Sequence, residues 1–486
     1  MAAAIPDGVF FASIAELNER LKKKEFKDIE LVRAFIARME QLGPHYNALA
    51  LLLPQRAIKA AKNVDDDMKR ERYRGSLQGI PFGAKDLLSV AKEPTVWGAP
   101  PYAGQVFDES ATVIKKLEKS AAAILTSKLA MIELAGGPSY RYASASINGP
   151  GLNPWDTTRW SGGSSSGSAI AVAAGLVTFA LGSETSGSII TPSAFCGCTG
   201  LRPTYGLVSR SGAMPLSWTM DKIGAICRSA DDCGFVLQAI AGADGDDPAS
   251  AGKSFYNVPQ YTRDLNVIKV GFAPVDFDEW AEPAARPDFA KALAVIREMG
   301  VQMAEPKLPD FPYGPIASTI VSVEASAVFE QLITSGKVDQ LRDQKQIAGL
   351  KAGLEIPAKD YLQAMRVRRM VQQGLRDVLA DVDVLVTPSR LGPAPKITQP
   401  LDRPLSERPR PKDSGFTGLI PAGNLAGLPA LSLPCGFADG MPIAIQLVGR
   451  PFSENTLLKI GREFQNSTDF HKRRPPEASV NPPAKQ

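Results

Sequence analysis

The hydrophobic pattern at the start of the chain is helical. Apolar side chains recur every three or four positions and predict a helix over 28–42, with Gly43 as its stop signal. The residues that set this period are Leu31, Phe35, Met39 and Leu42. Ser13 and Glu16 have the spacing of a capping box, which predicts a shorter helix that ends near Lys24. A third, polar helix is expected over 57–71.

Farther along the chain, short apolar runs alternate with segments of helical period. Strands are predicted at 80–84, 121–125, 266–272, 382–387, 430–434 and 443–448. Helices are predicted at 111–120, 128–134, 287–299 and 360–380. This alternation favours an α/β fold with a substantially parallel sheet.

One segment stands apart because it carries almost no charge. Residues 143–224 contain seven charged side chains, which are Asp156, Arg159, Glu184, Arg202, Arg210, Asp221 and Lys222. Segments this poor in charge are usually buried, yet this one is rich in serine, threonine and glycine. Because buried hydroxyl groups need hydrogen-bond partners, the segment is suited to a proton relay among serines.

Composition argues against several classes of protein. The net charge of +4 over 486 residues, with no basic block, argues against a nucleic-acid partner. The longest apolar stretch, 169–181, is shorter than the roughly 20 residues that a membrane-spanning helix requires. The N-terminus lacks a secretory signal, and five cysteines, an odd number, do not make a disulfide framework. We therefore expect a cytoplasmic protein with no membrane partner.

Two glycine-rich turns carry the candidate chemistry. Residues 162–168 read GGSSSGS and residues 187–189 read GSI, so each turn presents a serine. A serine nucleophile needs a group that takes its proton, and the chain has only two histidines, His45 and His471. A serine hydrolase that uses a lysine instead of a histidine as its base fits this scarcity, and Lys85 follows the GIP turn upstream.

These motifs, with others in the same order, resemble the amidase signature family. The matching segments are GIP at 79–81 with Lys85-Asp86, SK at 127–128 with Met131, NPW at 153–155, the two serine turns, GLRPT at 200–204, GLPA at 427–430 and QLVGRP at 446–451. Each motif alone is weak, but their order and spacing together are specific.

The resemblance implies a fold and a domain layout. The fold would be α/β, with a large mixed, substantially parallel twisted β-sheet core covered by helices on both faces. A single domain would span 1–470, with a helical region over about 1–72 and a catalytic core from about 75. Residues 471–486, which are polar and rich in proline, would form a tail.

The resemblance also implies a mechanism. Ser188 would be the nucleophile that is acylated, and Ser164, preceded by a cis peptide bond, would link it to Lys85. Lys85 can act as a base only when neutral, and removal from water favours the neutral amine. The oxyanion would bind the backbone N–H groups of Thr185, Ser186, Gly187 and Ser188, and the substrate would contact Met131, Gly162 and Gly163.

The expected activity is hydrolysis of carboxylic amides, with esters and carbamates as further substrate classes. We expect a small-molecule substrate, no metal and no cofactor, and a monomer or homodimer. The chain departs from the family beside the nucleophile, where the family commonly has DTGGSIR and residues 184–190 read ETSGSII. Ser186 thus replaces a glycine and Ile190 replaces an arginine, which leaves the substrate open.

Three other functions are compatible with parts of the sequence. A glutaminase-type A subunit of a tRNA-dependent amidotransferase would need partner subunits and a cation for the glutamine carboxylate. A phosphate-binding module is disfavoured because no Lys-Ser or Lys-Thr follows the glycines. A β-lactamase-like acylase could use Ser89 and Lys92, which fit S-x-x-K, but the chain lacks the Ser-Asp-Asn and Lys-Thr-Gly partner motifs.

Overall fold

An eleven-stranded sheet is the central element of the computed structural model, which describes residues 5–402 and 411–476. Its strands are β1 (Leu49–Leu52), β2 (Pro81–Lys85), β3 (Ile124–Leu129), β6 (Phe179–Glu184), β7 (Thr199–Arg202), β8 (Lys222–Cys227), β9 (Lys269–Phe272), β10 (Gln302–Ala304), β11 (Val384–Pro388), β12 (Ala430–Ala438) and β13 (Met441–Gly449). A separate two-stranded sheet pairs β4 (Leu152–Asn153) with β5 (Asp156–Trp160).

The large sheet is mixed, as predicted. Its strand order is β1-β3-β2-β6-β8-β7-β12-β13-β11-β9-β10. Strands β3, β2 and β6 are parallel on one side, and β11, β9 and β10 are parallel on the other. The strands between these two groups pair antiparallel, and β1 pairs antiparallel with β3.

Helices surround this sheet. They are α1 (Ile14–Lys22), α2 (Asp28–Leu42), α3 (Pro54–Lys69), α4 (Thr112–Lys115), α5 (Ser166–Ala173), α6 (Ile190–Cys196), α7 (Ala230–Ile240), α8 (Arg286–Glu298), α9 (Tyr313–Val328), α10 (Glu330–Thr334), α11 (Gln344–Gly353), α12 (Ala358–Asp381), α13 (Leu419–Leu425) and α14 (Glu454–Asn466). Among the described residues, none of these helices has both the length and the apolar composition that crossing a bilayer requires.

Both faces of the sheet are covered, because successive residues of a strand point to opposite faces. Gly461 of α14 lies against Leu431 and Leu433 of β12. Ser432, between those two leucines, pairs with Gly200 of β7, and Gly200 lies against Ser193 of α6. Helices α14 and α6 therefore pack on opposite faces.

The first helices follow their sequence signals closely. The side chain of Ser13 accepts from the backbone of Glu16, and the Glu16 carboxylate accepts from the backbone of Ser13, which confirms the capping box. Helix α2 has the predicted bounds, and its apolar stripe is buried. The N-terminal region also contributes a strand, since β1 pairs with β3 at the edge of the large sheet.

The helix predicted over 128–134 is wrong. Lys128 and Leu129 are the last residues of β3, and the chain then forms a single 3-10 turn at Glu133–Gly136. The strand predicted over 121–125 is correspondingly displaced toward the C-terminus. Strand β3 lies between β1 and β2, fully buried, so backbone pairing on both sides determines its conformation.

Parallel pairing in the first half of the sheet positions the candidate site. Strands β2 and β6 run side by side, with Ala84 paired to Leu181. Lys85 is the last residue of β2, and Ser183 and Glu184 are the last residues of β6. The carboxyl ends of parallel strands meet at one edge, so these residues and the loops that follow them lie close together.

Candidate active site

Lys85 lies in a cluster of serine hydroxyl groups. Its side chain is fully buried. The distances from its Nζ atom are 2.7 Å to Oγ of Ser164, 3.0 Å to Oγ of Ser165 and 2.9 Å to Oγ of Ser183. No carboxylate of the described residues forms an ion pair with it, so nothing in direct contact compensates a positive charge there.

Burial lowers the pKa of Lys85 to about 7, against the raising effect of the charges on Asp221 and Glu184. Removal from water destabilises the ammonium form, and hydroxyl groups do not replace the lost hydration in full. A substantial fraction of the Lys85 side chains is therefore neutral near pH 7.

The three contacts of Lys85 match the capacity of a neutral amine, which has two N–H donors and one lone pair. Ser165 uses its own hydrogen on the carbonyl oxygen of Ser183, at 3.2 Å, so it accepts from Lys85. If Ser183 accepts the second N–H, the lone pair of Lys85 faces the hydroxyl hydrogen of Ser164, the shortest of the three contacts. This arrangement suits proton transfer from Ser164 to Lys85.

Ser188 lies on the loop that joins β6 to α6. Its side chain is partly exposed and makes no hydrogen bond within residues 5–402 and 411–476, while the neighbouring Ser186 is exposed. Gly187 has a φ of +89°, a conformation that side-chain-bearing residues rarely adopt. In the structure Lys85 contacts Ser164, and Ser188 lies on the neighbouring turn. Ser164 and Ser188 are not hydrogen-bonded to each other among the described residues.

The backbone of this turn offers free donors. Across the described chain, the N–H groups of residues 185–188 donate to no protein acceptor. Four successive N–H groups without a protein partner offer hydrogen-bond donors to an oxyanion at this turn, although Ser186 is exposed to solvent. They are the four groups that the family resemblance assigns to an oxyanion hole.

Glu184 stabilises the conformation of the turn that carries Ser188. Its carboxylate accepts from the backbone N–H groups of Ile189 and Ile190, at 2.8 and 3.0 Å, and pairs with Arg202 at 2.7 Å. It also accepts from the side-chain amide of Asn424, at 2.9 Å. Burial opposes ionisation, but the Arg202 charge and these hydrogen bonds outweigh it and lower the pKa of Glu184 to about 2.

The first serine turn requires both of its glycines. Gly162 has a φ of +85°, and a Cβ there would lie 2.6 Å from Cα of Pro192. A Cβ on Gly163 would lie 2.8 Å from Ile132 and 3.0 Å from Trp160. The Gly163–Ser164 peptide bond is cis, as the resemblance implies. Met131, expected to touch the substrate, has a fully buried side chain that lies against Gly98.

A cavity of about 850 Å³ lies beside side chains that pack on both turns. Trp160 and Ile420 line it, and they are also the side chains that lie against the two turn glycines. Cζ2 of Trp160 is 3.0 Å from the position of a Cβ on Gly163, and Cγ2 of Ile420 is 3.3 Å from that of a Cβ on Gly187. A smaller cavity of about 180 Å³ is lined in part by Ser183 and by Thr185 of the nucleophile turn. The larger cavity is a candidate substrate site because Trp160 and Ile420 connect its lining to the glycines of both serine turns, and the smaller cavity reaches the nucleophile turn directly through Thr185.

Sequence reasoning missed several members of the site. Ser165 and Ser183 complete the hydroxyl cluster, and the Glu184–Arg202 pair holds the nucleophile turn. The available signal was the charge-poor segment itself, since a charge kept inside a buried segment usually has a specific partner. No group of three or more His, Cys, Asp or Glu side chains suited to a metal ion occurs in the part of the chain that the structure describes.

Comparisons with known proteins identify the family. The family model of the amidases matches residues 30–458. The A subunit of the glutamyl-tRNA(Gln) amidotransferase of Chloroflexus aggregans is 34% identical, over 96% of this chain and 98% of that protein. The chain therefore belongs to the amidase signature family.

Solved structures support the same assignment. The peptide amidase of Stenotrophomonas maltophilia is 30% identical, with a TM-score of 0.82 over 96% of this chain and 99% of that one. The A subunit of the glutamyl-tRNA(Gln) amidotransferase of Thermotoga maritima is 26% identical, with a TM-score of 0.77 over 96% and 97% of the two chains. Membership accounts for the mixed sheet and for the order of the sequence motifs.

Proposed function

We propose that this protein hydrolyses a carboxylic amide through an acyl-enzyme on Ser188, in one catalytic domain over 1–470. The observation that carries the proposal is Lys85, a buried lysine among serine hydroxyls with no carboxylate of the described chain in contact. Such a lysine is a base near neutral pH, and one of its contacts, Ser164, precedes a nucleophile turn with free N–H donors.

The first half of the reaction forms the acyl-enzyme. Lys85 takes the proton of Ser164, which takes the proton of Ser188 as Ser188 Oγ bonds to the substrate carbonyl carbon. The carbonyl oxygen gains the negative charge and binds the N–H groups of 185–188. Each such donor is worth roughly 3–4 kcal/mol in the transition state.

The second half releases both products. The C–N bond breaks, and the relay returns the proton from Lys85 through Ser164 to the leaving nitrogen. Water then attacks the Ser188 ester, giving its proton to the same relay, and the carboxylic acid leaves as Ser188 regains its hydrogen. No step needs a metal or a redox partner.

A second candidate is the glutaminase form of this chemistry, in which ammonia released from glutamine serves a tRNA-dependent amidotransferase. The names of the relatives favour this candidate over a stand-alone amidase, since eight relatives at 32–35% identity are all the A subunit of that enzyme. The peptide amidase structure favours an independent enzyme instead. Both candidates use the same acyl-enzyme, and they differ in the amide and in the partners.

Labelling with a serine-directed fluorophosphonate tests the acyl-enzyme. We expect one adduct by intact mass, located on Ser188, and for Ser188→Ala no adduct and at least about a 10⁴-fold loss of amide turnover. Ser168→Ala is the matched control, because Ser168 is a buried serine of the same segment whose hydroxyl bonds to the Leu181 carbonyl. An adduct on Ser188→Ala would overturn the proposal.

Assays of the isolated chain distinguish the two candidate functions. A stand-alone enzyme cleaves aryl or alkyl amides by itself and has the native mass of a monomer or homodimer. A glutaminase subunit releases ammonia from glutamine, and its rate rises when partner subunits are added. Native mass spectrometry measures the oligomeric state. The rate of ammonia release from glutamine, compared with the rate of hydrolysis of matched small amides, shows which candidate is correct.

A further inference from the structure

The loop that carries Ser188 is anchored at both of its ends. Glu184 accepts from the two backbone N–H groups that follow the nucleophile. At the other end, the buried Thr185 donates its side-chain hydroxyl to Oδ1 of Asp221, at 2.6 Å. The anchor at Thr185 acts on a residue whose own N–H is one of the four donors without a protein partner in the described chain.

Asp221 is itself held in place by the backbone. Its Oδ2 atom accepts from the N–H groups of Leu216 and Ser217, at 2.8 and 2.9 Å. It immediately precedes β8, whose first residue, Lys222, pairs with Glu184 at the end of β6. The register of two neighbouring strands therefore sets the position of this acceptor relative to the nucleophile loop.

Helices α9 and α12 hold the segment that leads into Asp221. Ser217 and Thr219 donate their hydroxyl groups to the buried Glu324 of α9, at 2.6 and 2.8 Å. Arg368 of α12 donates to the hydroxyl and to the carbonyl of Thr219, both at 2.8 Å. Because a satisfied buried network favours a single arrangement, Asp221 is a fixed acceptor rather than a mobile surface carboxylate.

The cations near Asp221 have other partners, and none forms an ion pair with it among the described residues. Arg210, which lines the same small cavity, pairs with Asp247 at 2.8 Å. Lys222 donates to a backbone carbonyl. Burial raises the pKa of Asp221, but its hydroxyl and backbone donors oppose this shift. Three donors are the partners of an ionised carboxylate, and its charge raises the pKa of Lys85.

We infer that Asp221 is a positioning residue, which acts through the Thr185 hydroxyl to hold the first two N–H groups of the oxyanion site. The inference rests on the proposed function, because it concerns the same site. Two peptide groups meet at Cα of Thr185, and they carry the N–H groups of Thr185 and Ser186. Anchoring the side chain restricts the rotation of both groups, so the donors are oriented before the substrate binds.

This role predicts a loss in the chemical step rather than in binding, because an oxyanion site stabilises charge that develops only in the transition state. Thr185→Val removes the hydroxyl and keeps the size and branching of the side chain. We expect kcat for p-nitrophenyl acetate to fall about 10- to 100-fold, with KM changed less than about twofold. Thr185→Ser, which keeps the hydroxyl, should restore kcat to within about threefold of the wild-type value.

The pH profile distinguishes a positioning carboxylate from a merely structural one. Asp221→Asn should lower kcat as Thr185→Val does, and should also move the rising limb of the profile at least about 0.5 units toward lower pH. The charges of Asp221 and Glu184 both raise the pKa of Lys85, and this substitution removes one of them. Thr185→Val retains both charges, so its limb should stay at the wild-type position. Loss of kcat in Asp221→Asn with an unmoved limb would reduce Asp221 to a structural residue and overturn the inference.

Thr204→Val is the matched control. Thr204 is a buried threonine that donates its hydroxyl to the Glu454 carboxylate at 2.6 Å, the same kind of contact at the same distance, on the segment after β7. The control should lose stability about as much as Thr185→Val, measured by chemical denaturation, while its kcat stays near the wild-type value. Equal losses of kcat in the two variants would overturn the inference.

Labelling of Ser188 separates this inference from the proposed function. The rate of labelling by a serine-directed fluorophosphonate should fall in Thr185→Val together with kcat, because the phosphonyl oxygen uses the same donors. If Ser188 labels at the wild-type rate in both Thr185→Val and Asp221→Asn, the inference is wrong and the proposed function stands. A wild-type protein whose Ser188 does not label overturns the proposed function, and the inference with it.

Discussion

Two buried lysines on neighbouring strands differ in what surrounds them. Lys85 ends β2, and Lys128 lies on β3 opposite Ala84, one residue away in the register. Both side chains are fully buried. Lys128 contacts the Asp86 carboxylate at 2.7 Å, together with the Thr95 hydroxyl and the Pro94 carbonyl. Lys85 contacts hydroxyl groups only.

The same residue type is thus placed in two electrostatic environments by its neighbours. Burial lowers the pKa of both amines, but at Lys128 the adjacent Asp86 charge opposes that shift. An opposite charge within hydrogen-bond distance stabilises the ammonium form, and serine hydroxyls do so far less. A lysine paired with a carboxylate is structural, and a lysine among hydroxyls can act as a base.

Replacing Lys85 gives the largest expected effect on chemistry. Lys85→Met should lower amide turnover by about 10³-fold while changing the free energy of unfolding by no more than about 1–2 kcal/mol. Amide turnover should fall more than turnover of the matched ester. The amine of an amide must be protonated as it leaves, whereas the alcohol of an activated ester can leave as its anion. Steady-state kinetics on both substrates measures this, and equal losses would remove Lys85 from the acid step.

Replacing Lys128 should affect stability first. Lys128→Met leaves the Asp86 carboxylate buried without its counter-ion, which should lower the free energy of unfolding by about 3–5 kcal/mol. Chemical denaturation measures the change, and the double variant with Asp86→Asn should recover part of it because no buried charge remains. A single variant as stable as the wild-type protein would show that the pair is not ionised.

The pH dependence sharpens the comparison further. Turnover should rise with pH through a limb near pH 7, where Lys85 loses its proton. The free energy of unfolding should also rise with pH. Lys85 has an ordinary pKa near 10.4 in the unfolded chain, so the unfolded chain binds more protons than the folded one between about pH 7 and 10. Relative to Lys85→Met, the wild-type protein should therefore gain stability as pH rises across that window. A limb set several units higher would contradict a neutral Lys85.

The smallest expected effect comes from the two histidines. Burial lowers the pKa of His471 to about 4, so it is neutral at pH 7, and His45 is exposed on a turn after α2. The double variant His45→Gln and His471→Gln should keep near wild-type turnover and the same pH profile. A folded but inactive double variant would make histidine the base and refute the contrast between the two lysines.

How far the sequence predicts the structure depends on how each element is buried. Helix α2 buries one face and exposes the other, so its apolar residues recur at helical spacing and that spacing predicted where the helix begins and ends. Helix α5 is buried on every side and carries no period, and its limits were not predicted. The turns and Lys85 could be identified because each motif is local. Trp160 and Ile420 come from separate segments, and only folding brings them to one cavity.

The edge strand β1 has a consequence for protein engineering. Because β1 covers the open side of β3, a deletion of residues 1–53 would turn β3 into a bare edge with unpaired backbone groups. Such edges template pairing with other chains and lead to aggregation. The N-terminal segment is therefore a poor place to shorten the protein, however helical and separate its sequence looks.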